Sequence, residues 1–335
     1  MDTTTLLGVI SRLMPYDAFL LNLMFPEVVT FETEKIAFDE IFQDHTLAPF
    51  VSPLVAGKAN TQQGALEKTF TPAYVKPKDV INPGRVLKRR PGEAIGGVLS
   101  AGARRDAIVV DILDLQRQRV INRMEWMAAQ LLRTGKILVS GENYPEAEVD
   151  FGRSSDNTVT LLTDARWGQV AEDPVGDIEE WMDRLDAPCT HIIFGNGAFT
   201  KFAKNADVKE LINTRRGSET TLELAPAVMK ATFRGRFGAA GPELWTYGGW
   251  YVDENGNKKK YVEDNQVIFV SQGATGVRAH GAILDKRAGY QPLEFFPKVW
   301  EEDDPSVEYC MTQSAPLPVL PLINSTLCAN VYTLA

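Results

Sequence analysis

The longest periodic stretch of the chain lies between residues 102 and 135. Val109, Leu113, Val120, Met124, Met127 and Leu131 recur there at helical steps, while Asp106, Asp114, Arg117, Arg119 and Arg123 fall between them. Apolar residues at that spacing line one stripe of a helix, and Gly135 is well placed to end it. At a rise of about 1.5 Å per residue the pattern predicts a helix of roughly 45–50 Å. That exceeds what a small compact domain needs and suits a spine. A second amphipathic helix is predicted within 172–186, with Ile178, Trp181, Met182 and Leu185 on its apolar side. From 187 the pattern alternates. His191-Ile-Ile-Phe, 231–237, 244–252 and 267–271 read as strands, 198–212 and 220–230 as helices, with turns at Gly248-Gly249 and Glu254-Asn-Gly-Asn. This is the arrangement of a compact α/β unit.

The two ends of the chain read differently. Leu6, Leu7, Ile10, Leu13 and Met14 predict a short helix stopped by Pro15, and 28–38 alternates as a strand. Further strands are predicted at 137–143, 147–151 and 157–162. Between 49 and 92 stand Pro49, Pro53, Pro72, Pro77, Pro83 and Pro91, separated by strand-like runs at 50–52, 69–71 and 86–87. Proline at this density excludes a central sheet position and predicts an extended, edge-exposed hairpin. The stretch 307–322 is apolar, extended and interrupted by Pro316, Pro318 and Pro321.

Charge changes this picture locally. The chain of 335 residues is 44% hydrophobic, enough to bury a core without staples, and carries a net charge of −9. A nucleic-acid binder concentrates Lys and Arg on one face to displace counterions, so the overall balance speaks against that class. Within 76–90, however, Lys76, Lys78, Arg85, Lys88, Arg89 and Arg90 stand against Asp79 alone. The segment reads either as a solvated loop or as a projecting loop that needs an acidic partner. Acidic side chains crowd 172–186, where Arg184 is the single cation, and again at Glu301, Glu302, Asp303 and Asp304. Arg215 and Arg216 precede Gly217-Ser218, where they clamp an anion or face the negative end of a helix; the second reading is preferred.

Candidate chemistry is sparse. Cys189, Cys310 and Cys328 form no CxxC pair, and His45, His191 and His280 have no ligand spacing, so no disulfide framework or metal site is assigned. The run Gly195-Asn-Gly-Ala-Phe-Thr-Lys follows a predicted strand and opens a helix, as in dinucleotide folds. Thr200 stands where the third glycine belongs, and no Walker or GxSxG spacing occurs. No catalytic residue or cofactor is assigned, and the chain is expected not to be an enzyme. It lacks the basic start of a signal peptide and any run of about 18 apolar residues, so it is expected to be soluble, off the membrane and intracellular at synthesis.

Several blocks occur in a fixed order along nearly the whole chain. They are Phe31-Glu-Thr-Glu-Lys-Ile, Val51-Ser-Pro-Leu-Val-Ala-Gly, Phe70-Thr-Pro-Ala-Tyr-Val-Lys-Pro-Lys with Asn82-Pro, the Arg-rich spine helix and Val149-Asp-Phe-Gly-Arg-Ser. Arg215-Arg-Gly-Ser, Tyr251-Val-Asp-Glu-Asn-Gly-Asn-Lys-Lys, Pro297-Lys-Val-Trp and Gln313-Ser-Ala-Pro-Leu follow. The series resembles the lambda-type major capsid proteins of tailed phages, the phage capsid protein E family. The sequence departs from that pattern most around 187–205 and in its last dozen residues.

The resemblance implies an α+β tailed-phage major capsid fold of the Hong Kong phage type. Its parts would be an N-terminal arm (1–48), an extended β-hairpin loop (49–95), a peripheral domain (96–186 and 301–335) built on the spine helix 102–135, and an axial domain (187–300). It further implies a self-assembling structural subunit of pentamers and hexamers in an icosahedral head around double-stranded DNA. Such a subunit assembles in the host cytoplasm as a procapsid and ends in the virion. Its partners would be itself, a scaffolding protein, a portal and, in some members, a decoration protein. On this reading Lys76, Lys78, Arg85, Lys88, Arg89, Arg90, Arg215 and Arg216 meet acidic surface on a neighbouring subunit, with Glu301, Glu302, Asp303 and Asp304 or 172–186 as the receiving side. The competing readings are a cellular nanocompartment shell of the same fold and a nucleotide-binding α/β enzyme using the 195–201 turn.

Overall fold

The computed structural model describes residues 18–33, 35–40, 66–88, 99–141, 144–209, 230–238, 241–304 and 307–334. The expected helices at 6–14 and 220–230 and the run at 50–52 lie outside them. The chain divides into two compact units, each drawn from three separate stretches. Met1–Ile36, Phe70–Ala128 and Gly276–Val319 make the first, and Ala37–Thr69, Ala129–Thr275 and Leu320–Ala335 the second.

The spine helix is Ala101–Thr134, within one residue of its predicted ends. Ser100 Oγ accepts the Ala103 N–H at 3.2 Å, which satisfies one of the orphan donors at the start. Gly135 ends the helix with φ +74°, and a Cβ there would stand 2.6 Å from that of Arg153. All six residues of the predicted apolar stripe are buried. Two polar residues of the helix, Gln116 and Glu125, are buried too, and both are hydrogen-bonded.

In the first unit Phe296–Glu302, Val307–Gln313 and Lys78–Ile81 form an antiparallel sheet in that order. Lys78–Ile81 is an edge strand, as the surrounding prolines require. A second sheet is ordered Glu27–Thr30, Val277–His280, Pro316–Val319, and its proline-bearing strand again lies at an edge. Ile283, Ala288, Phe296 and Ala315 pack together beneath Tyr74 and Leu293. The short helix Phe19–Met24 is fixed at its start by Glu125, whose carboxylate accepts the Leu20 and Leu21 N–H groups at 3.0 and 2.9 Å. At its other end Arg278 donates to Phe25 O and Asn22 Oδ1 at 2.6 and 2.8 Å.

The second unit is built on a six-stranded sheet. Its order is Thr158–Thr160, Thr326–Asn330, Gln266–Ser271, Cys189–Phe194, Glu243–Tyr247, Ala231–Arg236. Gln266–Ser271 is buried at every position. Helices Pro174–Asp183 and Asn196–Lys204 contribute Trp181, Phe199 and Phe202 to an aromatic cluster with Trp167, Phe194 and Phe269. Ring centroids there lie 5.4–6.5 Å apart, the offset and edge-on spacing that aromatic rings prefer. The buried Trp167 indole N–H donates to Asp177 Oδ2 at 2.8 Å. Lys136–Gly141 pairs with Tyr144–Asp150, and Trp250–Val252 with Lys258–Lys260, as separate two-stranded ribbons.

Three local expectations are corrected. The strand expected over 28–38 is two, Glu27–Thr30 and Ile36–Glu40, because Thr33 Oγ1 donates to Lys35 O at 2.6 Å and turns the chain between them. The expected strand 244–252 is also two, in different sheets, divided at the expected Gly248-Gly249 turn. A Cβ on Gly249 would collide with the Tyr247 ring at 2.3 Å. The run at 86–87 belongs to a helical turn, Pro83–Leu87, with proline pre-set for the first helical position.

Candidate assembly surfaces

The basic segment divides into a part engaged within its own unit and a part free of it. Lys78 extends over the aromatic pair of the adjacent strands, its Nζ 3.8 Å from the Tyr309 ring centroid and 5.1 Å from that of Trp300. Those two rings stack at 5.4 Å. Lys76 lies 4.7 Å over Tyr74. Asp79, the lone acid of the segment, accepts from Gln116 at 2.8 Å and pairs with Arg119 at 3.2 Å. Lys76 and Lys78 remain exposed while spreading their charge over rings, so they are held in place on the edge of the sheet. Arg85 and Lys88 are exposed and form no ion pair among the described residues. Leu87 between them is 74% exposed. Arg89, Arg90, Arg215 and Arg216 lie outside the described residues.

Glu301 and Glu302 end the strand Phe296–Glu302, and Asp303 and Asp304 follow in the turn; all four are exposed. Glu301 stands opposite Glu308 in the ladder, a like-charge pairing that Arg105 relieves. The Arg105 guanidinium grips the Glu308 carboxylate through Nε–H at 2.9 Å and through a second N–H, the bidentate fork that makes arginine the stronger partner. Sequence reading missed this pair because its members are far apart in the chain.

The acidic stretch 172–186 also resolves into two groups. Asp173 caps Pro174–Asp183 by accepting the Gly176 N–H at 2.9 Å, and Asp177 holds Trp167. Glu172 takes the Gly168 N–H and the Asn205 amide, and Glu180 pairs with Arg184. Glu179, Asp183 and Asp186 have no such partner among the described residues, and Glu179 and Asp183 are exposed one turn apart on the same helix.

The glycines of the 195–201 turn have a packing explanation. A Cβ on Gly195 would stand 2.0 Å from Glu263 O, and one on Gly197 2.0 Å from the Tyr332 hydroxyl. The helix start is occupied by the chain itself: Ala198 N–H donates to Asp264 O at 2.6 Å, and Gly195 N–H to Gln266 O at 2.8 Å. Two of the N–H groups around this helix start are therefore already used, and the glycines are accounted for by packing. His191 is half-buried with Nε2 3.7 Å from Glu243, and burial lowers its pKa. His280 is fully buried, and burial beside Arg278 pushes its pKa down to about 4. Burial pushes the thiols of Cys189 and Cys310 up to about 12. No group of three or more His, Cys, Asp or Glu side chains is placed to hold a metal ion among the described residues. No helix among them is long and apolar enough to cross a membrane.

Comparison with known proteins agrees with the family resemblance that the sequence blocks carry. The chain is 32% identical over 327 residues to the major capsid protein of Escherichia phage lambda, covering 95% of each chain. It is 33% identical over 328 residues to that of Enterobacteria phage phi80, again covering 95% of each. Its fold superposes with a TM-score of 0.76 on the crystal structure of a candidate capsid protein of an Escherichia coli CFT073 prophage, at 26% identity and 99% coverage of both chains. The profile of the family described as "Phage major capsid protein E" matches residues 2–331. The chain belongs to the phage major capsid protein E family.

Proposed function

We propose that this chain is the shell-building subunit of a phage head. Copies associate into rings of five and six, and the rings close into an icosahedral container for double-stranded DNA. The observation that carries this reading is coverage: the similarity to capsid proteins runs through both compact units, from residue 2 to residue 331. Closed symmetric assembly suits such a subunit, because each added copy meets several neighbours and modest contacts multiply. The net charge of −9 suits a wall that encloses DNA without gripping it. The reading gives the chain no catalytic step and no cofactor. It places the chain in the virion after assembly in the host cytoplasm, with a scaffolding protein and a portal as separate partners and, as in some members of the family, a decoration protein. It also keeps the four-part division into arm 1–48, loop 49–95, peripheral domain 96–186 with 301–335, and axial domain 187–300.

Within this reading the basic segment is an inter-subunit contact. Arg85, Lys88, Arg89 and Arg90, supported by Lys76 and Lys78, dock on Glu301, Glu302, Asp303 and Asp304 of a neighbour, and Arg215 and Arg216 contribute a second cationic contact. Arg85 and Lys88, exposed and unpaired among the described residues on either side of an exposed Leu87, support this assignment, as do four exposed carboxylates in sequence. Expressing the chain alone and with the genes that flank it, followed by sedimentation and negative-stain microscopy, tests the reading. Closed shells or capsomer-sized rings are expected; a monomer or dimer under both conditions refutes it. Charge reversal at Lys88, Arg89 and Arg90 is expected to abolish assembly, and unchanged assembly with unchanged salt sensitivity refutes the docking.

A further inference from the structure

The ribbon formed by Trp250–Val252 and Lys258–Lys260 stands apart from the six-stranded sheet of the second unit. It joins no larger sheet, and an isolated two-stranded hairpin is at best marginally stable in water. Its tip is tied down locally: Asp253 accepts the Asn255 and Asn257 N–H groups at 3.0 and 2.8 Å and pairs with Lys259 at 3.0 Å. Gly256 supplies the positive φ the turn requires. Tyr251 packs on Tyr261 at 5.2 Å, which anchors one face.

The other face has no such anchor. Residues two apart share a face of a strand, so Trp250 and Val252 stand together, opposite Lys260 and Lys258 in the ladder. Trp250 is 43% and Val252 57% exposed. Lys258 reaches back over the Trp250 ring at 4.0 Å. Lys259 and Lys260 are both paired with carboxylates, whereas Lys258 has no ion-pair partner among the described residues. Trp250 is of the residue type most enriched among binding hot spots, and here it stands exposed beside Val252 and Lys258, an apolar patch with a positive rim.

The second unit also carries the complementary surface. Glu179 and Asp183 are exposed at i and i+4 on Pro174–Asp183, where like charges repel, and neither has an ion-pair partner among the described residues. We propose that the Trp250, Val252 and Lys258 face of one copy docks on the Glu179 and Asp183 face of the next copy. Lys258 then lies between the two carboxylates, and Trp250 covers the adjoining helix surface. The contact joins two different patches, so it is heterologous, and repeated around an axis it generates a ring. This inference rests on the self-assembly reading above and names a contact within it.

Three variants of the full-length chain test it: K258E, the double variant E179K/D183K, and the three substitutions together. Wild type is expected to form rings or shells when expressed with its flanking genes. Either one-sided reversal is expected to lower the assembled fraction by about tenfold or more, with the melting temperature of the free subunit unchanged. The combined variant, which restores opposite signs, is expected to regain most of the assembly. Wild-type-like assembly by K258E refutes the contact, and so does a folded combined variant that stays unassembled. As a measurement independent of disruption, K258C and E179C chains are mixed and oxidised; a disulfide between copies is expected, and its absence from assembled particles refutes the pairing. A wild-type chain that never assembles refutes the underlying reading itself, and is distinguished by failing before any substitution is made.

Discussion

Glu125 offers a sharp test of how the first unit holds its N-terminal segment. Its carboxylate is buried in the middle of the spine helix and accepts two backbone N–H groups, from Leu20 and Leu21. A hydrogen bond to an ionised acceptor contributes about 1.5–3 kcal/mol, and a buried donor left without a partner costs about 1–3 kcal/mol. Glu125→Gln preserves the shape but has one acceptor oxygen, so it retains one bond and forfeits about 2 kcal/mol. Glu125→Ala strands both donors and opens a cavity, for a loss of about 3–5 kcal/mol. Global unfolding averages over two compact units, so a local observable reports this short segment more sharply. Amide exchange followed by mass spectrometry isolates the segment instead. Peptides covering 18–25 are expected to exchange about thirtyfold faster in Glu125→Gln, and faster still in Glu125→Ala. Peptides from the six-stranded sheet of the second unit should be unchanged. Equal protection of 18–25 in wild type and Glu125→Ala would refute the argument that this carboxylate holds the helix.

Two further predictions concern buried positions. His280 is held neutral, with its pKa lowered to about 4 from the ordinary 6.5. As pH falls below 6.5 the unfolded chain takes up this proton and the folded chain does not. Stability from this group is therefore complete above pH 6.5 and declines toward pH 4, by on the order of 3 kcal/mol. Urea midpoints at pH 7 and 4.5 should lie farther apart for wild type than for His280→Asn; equal separations refute the assignment. At Gly195 an added methyl meets Glu263 O, so Gly195→Ala is expected to lose about 1–3 kcal/mol. Gly102, which has open space around it in the spine helix, is the control: Gly102→Ala should gain about 0.5–1 kcal/mol. Thermal melts of the two variants should move in opposite directions.

Long-period features were legible in the sequence and cross-chain ones were not. The spine helix repeats its apolar stripe often enough that no competing pattern survives, and it appears within one residue of its expected ends. The prolines of 49–92 predicted an edge-exposed element, and Lys78–Ile81 lies at a sheet edge; proline has no N–H to donate, so it breaks a central ladder. The turn at Gly248-Gly249 was legible from the glycines themselves, but the change of sheet that it makes was not, and only the Tyr247 ring shows why a side chain is excluded there. The charge of 172–186 was visible, but its division into capping acids and free acids depends on partners such as Trp167 and Asn205 that no local pattern reveals. The basic segment was read as a single loop. Its split into ring-bound lysines and the free Arg85 and Lys88 follows from a strand more than two hundred residues later that supplies Tyr309.

The parallel pairing of Glu27–Thr30 with Val277–His280 has a consequence for how the subunit is made. The partner strand is synthesised about 250 residues after the first, on the order of ten to fifty seconds of translation. During that interval Val28 and Val29 have no ladder, and the first unit stays open on the ribosome. Completion of the second unit waits longer, because Thr326–Asn330 sits inside its sheet between Thr158–Thr160 and Gln266–Ser271. Surfaces that depend on finished units therefore mature only after Thr326–Asn330 has been made, so a product terminated before that strand would be a poor competitor for a place in a growing lattice.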